Sequence, residues 1–223
     1  MDVIKTILTR RSVRDFKSTP VPKETVLKIL ETATHCPSSG NSQPWEIFVA
    51  GGEVLEKIRK IYMERFDQNV QGKPDLPGLP PNAWTQGMQD CMMQMRTERN
   101  KLLKIDPQDK AASRANTAKG HRFYGAPVLV YLCLPRSVCP NMAYDLGFLT
   151  QNILLAAESF GVGSLVATGF VFHPDVLRQE LGIPDDLAIV NAVALGYTDT
   201  QSVINSYRSS RRPIQEVVRI KGL

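Results

Sequence analysis

The chain has 223 residues, 43% of them hydrophobic and 22% charged, with a formal net charge of +5. That is enough chain to bury the core of one α/β or α+β domain without disulfide or metal staples, and the apolar fraction excludes disorder over the whole length. The positive charge is dispersed, its densest group being Arg10, Arg11 and Arg14. A nucleic-acid groove asks for a longer basic stripe, so no nucleic-acid partner is expected.

In chain order, residues 2–9 put Val3, Ile4, Ile7 and Leu8 on one helical face. A second helix is expected after Pro20–Pro22, where Val26, Leu27, Ile29, Leu30 and Ala33 recur at helical spacing as far as His35. Residues 37–44 are dense in turn formers. Residues 45–50 (WEIFVA) read as a strand ended by Gly51-Gly52, and 53–67 return to helix. The proline-rich run 72–81 (GKPDLPGLPP) fits neither a regular helix nor a central strand. It leads into a Met-rich polar helix over about 84–104 and a second over 108–119. Residues 70–122 are expected to be an insertion in a single domain spanning 1–223, since they hold too few large apolar residues for a core of their own. Residues 128–134 (VLVYLCL) are a buried strand, and 142–160 the strongest helix, with Leu146, Leu149, Ile153, Leu154 and Ala157 in phase and Gly161 as its C′ glycine. A strand over 164–168, a short helix over 174–181 and a last core strand over 188–195 follow. The tail 201–223 is poor in apolar residues until Val217, Val218 and Ile220, a pattern suited to packing on a partner subunit. Continuous apolar strands alternating with helices imply a sheet covered on both faces.

Several chemistries are missing. Cys36, Cys91, Cys133 and Cys139 form no CxxC and are not at ligand spacing with His35, His121 or His173. No zinc site or redox disulfide is expected, and free thiols fit a reducing cytosol. Residues 1–16 do not form a signal peptide, and no stretch approaches a membrane span. The run Gly161-Val162-Gly163 fails the dinucleotide fingerprint, and there is no P-loop or GxSxG elbow.

Two patterns stand out. Arg10, Arg11, Ser12 and Arg14 place three guanidinium forks and a hydroxyl within five residues, which suits a phosphate or, equally, an exposed basic turn. Pro37-Ser38-Ser39-Gly40-Asn41-Ser42-Gln43-Pro44-Trp45 is a polar run held by prolines, readable as a rigid ligand loop or as a plain connection. Together, RRSVR at 10–14 and PSSGNSQPW at 37–45 resemble the nitroreductase family of flavoproteins. The resemblance continues through Gly125-Ala126-Pro127, Asp145-Leu146-Gly147, Gly161-Val162-Gly163, Leu181-Gly182-Ile183-Pro184, Leu195-Gly196-Tyr197 and Arg211-Arg212-Pro213, and is weakest over 63–122.

The resemblance implies an α+β fold, a mixed sheet flanked by helices in an intertwined homodimer, with FMN at the dimer interface. Arg10, Arg11, Ser12, Arg14 and Arg211 would hold the FMN phosphate and ribityl chain; a second basic position of relatives is Ser209 here. Pro37, Ser38, Ser39, Asn41 and Gln43 would come from the other subunit and line the ring. Backbone amides at Thr168 and Gly169 would reach the flavin near N5, Gly169 foremost. Hydride chemistry then belongs to the cofactor, and no catalytic side chain or metal is called for. The implied activity is electron transfer from NADPH or NADH to nitroaromatic, quinone or related small acceptors by a ping-pong scheme, in the cytoplasm, with no membrane partner. Enone reduction, reductive dehalogenation or flavin carriage on the same fold stand as alternatives. The insertion at 70–122 would serve as a lid, with Trp84, Met88, Met92, Met93 and Met95 either shaping an apolar pocket or merely packing the insertion down.

Overall fold

Four antiparallel strands form the central sheet of the computed structural model, β1 (Glu46–Gly51), β2 (Val128–Pro135), β3 (Gly163–Val166) and β4 (Leu187–Gly196), in the order β1-β2-β4-β3. The described residues are 2–76, 78, 80–137 and 140–223, without the side chains of Pro81, Pro140 and Asn141; Cys139 and two residues of the proline-rich run, Pro77 and Leu79, lie outside them. The register pairs Ala50 with Leu129 and Val130 with Val193, and a bulge at Leu132/Cys133 breaks the β2–β4 ladder.

The sheet is buried on both faces, which is why its strands read as unbroken apolar runs. On β2 the side chains alternate between two cores: Leu129, Tyr131 and Cys133 face one, and Val130, Leu132 and Leu134 the other. The first core is closed by α3 (Gly52–Asp67), through Leu55, Ile58 and Tyr62, and by α7 (Pro174–Leu181), through Val176 and Leu177. The second is closed by α2 (Lys23–Ala33) and α6 (Pro140–Ser159). The five α6 residues expected in phase are all buried there. α6 ends as its sequence requires. Gly161 takes φ +72, and Val162 N–H donates to the Ala157 carbonyl at 2.8 Å, satisfying an otherwise orphaned acceptor. Elsewhere the observed elements fall within a few residues of those expected, except that β3 stops at Val166 and a 3-10 turn takes over at Thr168–Val171.

Helix α1 (Val3–Thr9) has the expected face but turns it outward. Val3, Ile4, Ile7 and Leu8 are 65%, 65%, 52% and 77% exposed, and Thr6 is the residue buried. The two α-helices within 70–122 are α4 (Gln86–Leu103), which buries no residue, and α5 (Lys110–His121), which buries Ala118. Their connection to the body is made just before them. Lys73 N–H donates to the Phe172 carbonyl at 2.8 Å, and Gly72 lies so close to Phe172 that a Cβ would stand 2.8 Å from it. Asp75, its side chain 9% exposed, accepts from Arg136 Nη2 at 2.8 Å, Arg178 Nη2 at 2.7 Å and the Ile189 N–H at 2.8 Å. A non-helical, proline-rich run is thereby tied to α7 and β4 through one carboxylate.

Burial alone pushes the Asp75 carboxyl up, but the donors from Arg178, the Ile189 amide and Arg136 outweigh it and leave it below its ordinary value. A carboxyl depressed in the folded state stabilises fully above its unfolded value, about 3.9, and loses that contribution as pH falls through the folded one. Asp75→Asn is therefore expected to cost about 2 kcal/mol in urea unfolding at pH 7. The gap between variant and parent should narrow as the pH is lowered below about 4; a gap independent of pH would show that the charge is not what holds the loop.

Candidate functional site

After α1 the chain leaves the helix at Arg10 and runs extended past the free edge of β3. Ser12 forms a parallel bridge with Ser164, and Val13 N–H donates to the Ser164 carbonyl at 2.9 Å. Phe16 forms an antiparallel bridge with Thr198. Buried Asn205 completes the attachment: its Oδ1 accepts from Arg14 N–H at 2.8 Å, and its Nδ2 donates to the carbonyls of Asp15 at 2.7 Å and Asp199 at 2.8 Å. The close approach depends on a missing side chain. A Cβ on Gly163 would stand 2.5 Å from Thr198 Oγ1 and 2.8 Å from Val13 Cγ2. The Gly161-Val162-Gly163 run thus divides two tasks, a helix stop at 161 and a docking surface at 163.

Extended backbone sends successive side chains to opposite sides. Arg11 and Val13 line one cavity of about 490 Å³, shared with Arg208 and Glu158. Arg10 and Arg14 meet other cations. Burial, then the neighbouring Arg211, lowers the Arg10 guanidinium from its ordinary value, with Glu158 opposing. Burial, then Arg99 of α4, lowers that of Arg14. Burial, then Arg11, does the same to Arg208. Among the described residues none of Arg10, Arg11, Arg14, Arg99, Arg208 or Arg211 has a carboxylate within ion-pair distance. Arg99 Nε is buried without a hydrogen-bond partner. Cations brought together and left unneutralised make a site for an anion. Arg208 and Arg99 had no motif to announce them, and Arg11 stands apart from the pairs made by Arg10 and Arg14.

Two openings adjoin this group. Arg211 lines a cleft of about 980 Å³ together with Trp84 and with Met88, Met92 and Met95 of α4; Met93 is exposed on the same helix. Gly169 lines a cavity of about 300 Å³ with Arg99, Asn116, Thr117, His121 and Tyr124. Thr168 opens the 3-10 turn and is exposed, while Gly169 is open on its Cβ side, where the nearest atom would be Phe172 Cε2 at 3.8 Å. Phe123, Tyr124 and Gly125 all have positive φ, and this strained turn sets Tyr124 at the cavity wall while Phe123 enters the core.

The loop 37–43 is built as a rigid, exposed polar turn. Gly40, Asn41 and Gln43 have φ of +57, +55 and +45, a conformation that non-glycine residues rarely hold without support. The support is local. Gln43 N–H donates to Ser38 Oγ at 3.0 Å, Gln43 Nε2 to Asn41 Oδ1 at 3.3 Å, and Ser39 N–H to Oδ2 of buried Asp145 at 2.9 Å. Pro37, Asn41 and Gln43 are exposed, and Trp45 anchors the far end in the core. No hydrogen bond or ion pair joins this loop to the arginines among the described residues. The reason is α6. Asp145 holds the loop near one end, while Glu158, which accepts from Thr9 Oγ1 at 3.3 Å, meets the arginine segment near the other. Thirteen residues of α-helix separate them, roughly 20 Å at ~1.5 Å per residue.

Gly163→Ala should push residues 12–13 off β3. The expected result is a loss of about 1–3 kcal/mol in stability, typical of an overpacked contact, together with loss of anion affinity at the arginine group, read by phosphate protection against thermal unfolding. Unaltered values for both would show that the segment can dock without the close approach.

Comparison with known proteins agrees with this geometry. A model of the Nitroreductase family matches residues 7–197. The nitrobenzene nitroreductase of Ectopseudomonas oleovorans is 30% identical, covering 94% of this chain and 92% of its own. The solved structure of the FMN- and NADPH-dependent nitroreductase NfnB from Sphigopyxis sp. strain HMH superposes with a TM-score of 0.94 over 100% of both chains at 26% identity. That of the FMN-dependent nitroreductase NfnB from Mycobacterium smegmatis, in complex with NADPH, gives 0.92 over 98% and 97% at 26% identity. With its α+β architecture, its docked RRSVR segment and its PSSGNSQPW turn, the chain belongs to the nitroreductase family.

Proposed function

We propose that this protein is an FMN-dependent oxidoreductase that takes reducing equivalents from NADPH or NADH and delivers them to nitroaromatic, quinone or related small acceptors. The observation that carries the reading is a set of guanidinium groups without an ion-paired carboxylate, Arg10 beside Arg211 and Arg14 beside Arg99, the last of which lines a cavity together with Gly169. The donor set fits FMN. Its phosphate dianion answers the unneutralised guanidinium groups, and its flat ring answers an opening where Gly169 presents no side chain. The FMN and NADPH named for the solved relatives point the same way.

When bound, FMN supplies hydride chemistry. The protein's part is positioning and electrostatics. Arg10, Ser12, Arg14 and Arg211 bind the phosphate and ribityl chain, with Arg11 and Arg208 adding positive potential from the reverse side. Backbone groups at Thr168 and Gly169 orient the reactive edge of the ring. Pro37, Ser38, Ser39, Asn41 and Gln43 of a second subunit close the ring's other side, their turn stiffened so that little order is lost on binding. No side-chain acid or base is assigned. Reductant and acceptor take turns at the same opening, a ping-pong scheme. The inserted region within 70–122 is the lid of a single domain. Its α4 buries nothing and offers Met88, Met92 and Met93 outward, side chains that adapt to varied apolar ligands.

The working unit is a homodimer. The apolar face of α1 is exposed, and the tail beyond Arg208 is exposed throughout, including Ile214, Val217, Val218 and Ile220. A groove of about 380 Å³ lined by Val26, Leu27, Val49 and Pro127 runs beside β1, an edge strand with free backbone donors and acceptors. A monomer would leave all of this apolar surface in water. Roughly 20 Å of α6, at ~1.5 Å per residue, lies between Asp145, which holds the loop, and Glu158, which meets the arginine segment, and this favours a second copy as the source of the loop that completes the site.

The purified protein is expected to carry flavin absorption bands that bleach with NADPH or NADH under anaerobic conditions and return with a nitroaromatic. Bands that ignore both reductants would indicate flavin carriage, and no FMN uptake would refute the reading. Arg10→Ala and Arg14→Ala should each weaken FMN binding about 10–100-fold, as expected for one charge-assisted contact; full retention by the double variant would reject the phosphate site. In sedimentation velocity, Ile4→Glu with Leu8→Glu is expected to shift the protein from dimer to monomer and to release FMN in parallel. A flavin-loaded monomer would break the link between assembly and site.

A further inference from the structure

The turn at Thr168–Val171 does not anchor itself at the positions assigned to the ring. Thr168 is exposed and Gly169 has no side chain to bury. The anchor comes one residue later. Phe170 is buried, its ring edge-on to Phe123 at 5.4 Å, and its carbonyl accepts from Tyr62 Oη at 2.9 Å. The same oxygen accepts from the His173 N–H at 3.3 Å. One hydroxyl therefore spends its donor on one end of the segment 170–173 and an acceptor lone pair on the other.

Tyr62 stands on α3, buried on the face that also carries Leu55 and Ile58. Packing against Phe123 and His173, whose ring centroids lie 4.9 Å away on each side, would be served as well by a phenylalanine. The backbone of 170–173 accounts for the hydroxyl. Tyr62 is 0% exposed, and Phe170 and His173 are buried around it, so bulk water cannot take over either bond. Burial pushes the Tyr62 phenol up, which keeps it a donor across the physiological range. The segment is held from its other side at Phe172, whose carbonyl accepts from the Lys73 N–H at 2.8 Å. Gly169 thus precedes a residue fixed through both its ring and its carbonyl.

We propose that Tyr62 is a positioning residue for hydride transfer: through the Phe170 carbonyl and the His173 amide it sets the backbone at Thr168 and Gly169, and so the alignment of the flavin's reactive edge, without touching cofactor or substrate. This rests on the FMN-dependent reading above. Backbone groups stabilise developing charge only when they are fixed beforehand, and a misplacement of about 1 Å costs up to ~100-fold in rate. The hydroxyl supplies that fixity from the core side, where no ligand can displace it.

The test sets Tyr62→Phe, which removes the hydroxyl and keeps the ring, against Ile58→Val, which loosens the same core and leaves the hydroxyl in place. Both are expected to unfold about 2–6 °C below the parent and to retain FMN. In anaerobic stopped flow at saturating NADPH, flavin reduction in Tyr62→Phe should slow about 10–100-fold while the Kd for NADPH is kept, and Ile58→Val should match the parent. Amide hydrogen exchange over 168–173, read with and without FMN, should quicken about 10-fold in Tyr62→Phe alone. Equal slowing in both variants would make Tyr62 a packing residue and overturn the proposal. So would an unaltered rate or unaltered exchange in Tyr62→Phe, or its loss of FMN, which would assign the residue to binding instead of alignment. The parent separates the two failures. A parent that takes up no FMN, or whose flavin ignores both NADPH and NADH, refutes the oxidoreductase reading. A parent that is reduced, with Tyr62→Phe reduced equally fast, refutes the assignment of Tyr62 alone.

Discussion

The docking of residues 12–16 against β3, with no side chain between them at Gly163, is the contact on which the site depends. It fixes the backbone from which Arg10, Arg11 and Arg14 project, and Asn205 closes it from the opposite side. Flexible arginines would relax away from each other into water. Here their stems start from a pinned strand and they meet Arg211, Arg208 and Arg99. The folded chain therefore holds electrostatic free energy that an anion releases, and a ligand that binds only the folded state stabilises it by mass action.

The two-faced sheet makes this possible. Because β2 and β4 are covered on both sides, α2 and α6 lie on one face and α3 and α7 on the other. The edges are left for other work: β3 receives the arginine segment, and β1 stays open. Helices α4 and α5 and the run before them are tied to the body by polar contacts, Asp75 at the entry, Arg114 on α5 and Glu98 on α4. Such ties locate a segment without burying it.

Most of the element pattern was legible because burial writes its period into the chain. The in-phase residues of α6 and the unbroken run of β2 map directly onto the two cores. Periodicity does not say where a face points, and so the apolar stripe of α1, evident in Val3, Ile4, Ile7 and Leu8, gave no sign that it faces away from its own core. The arginine segment and the polar turn were visible as motifs, each with a bland alternative. The fold adds to each what the motif does not show, charge without an ion-paired carboxylate at Arg10 and Arg14 and positive φ at Asn41 and Gln43. Asn205, Arg208 and Arg99 were not legible at all. Each matters through partners far away in sequence, and a lone Asn or Arg between helices carries no local signature.

Helix α6 also acts as a ruler. Its two ends carry Asp145, which sets the polar turn, and Glu158, which meets the arginine segment, and everything between is packed core. Inserting one residue between Leu149 and Ile153 would rotate one end against the other by about 100° and lengthen the rod by ~1.5 Å. The turn and the cation group would then no longer keep their present relation to each other. The length and phase of this helix thus set how the polar turn and the arginine segment lie relative to each other, although its buried residues belong to neither. Its core can exchange one apolar side chain for another of similar volume, but it cannot gain or lose a residue.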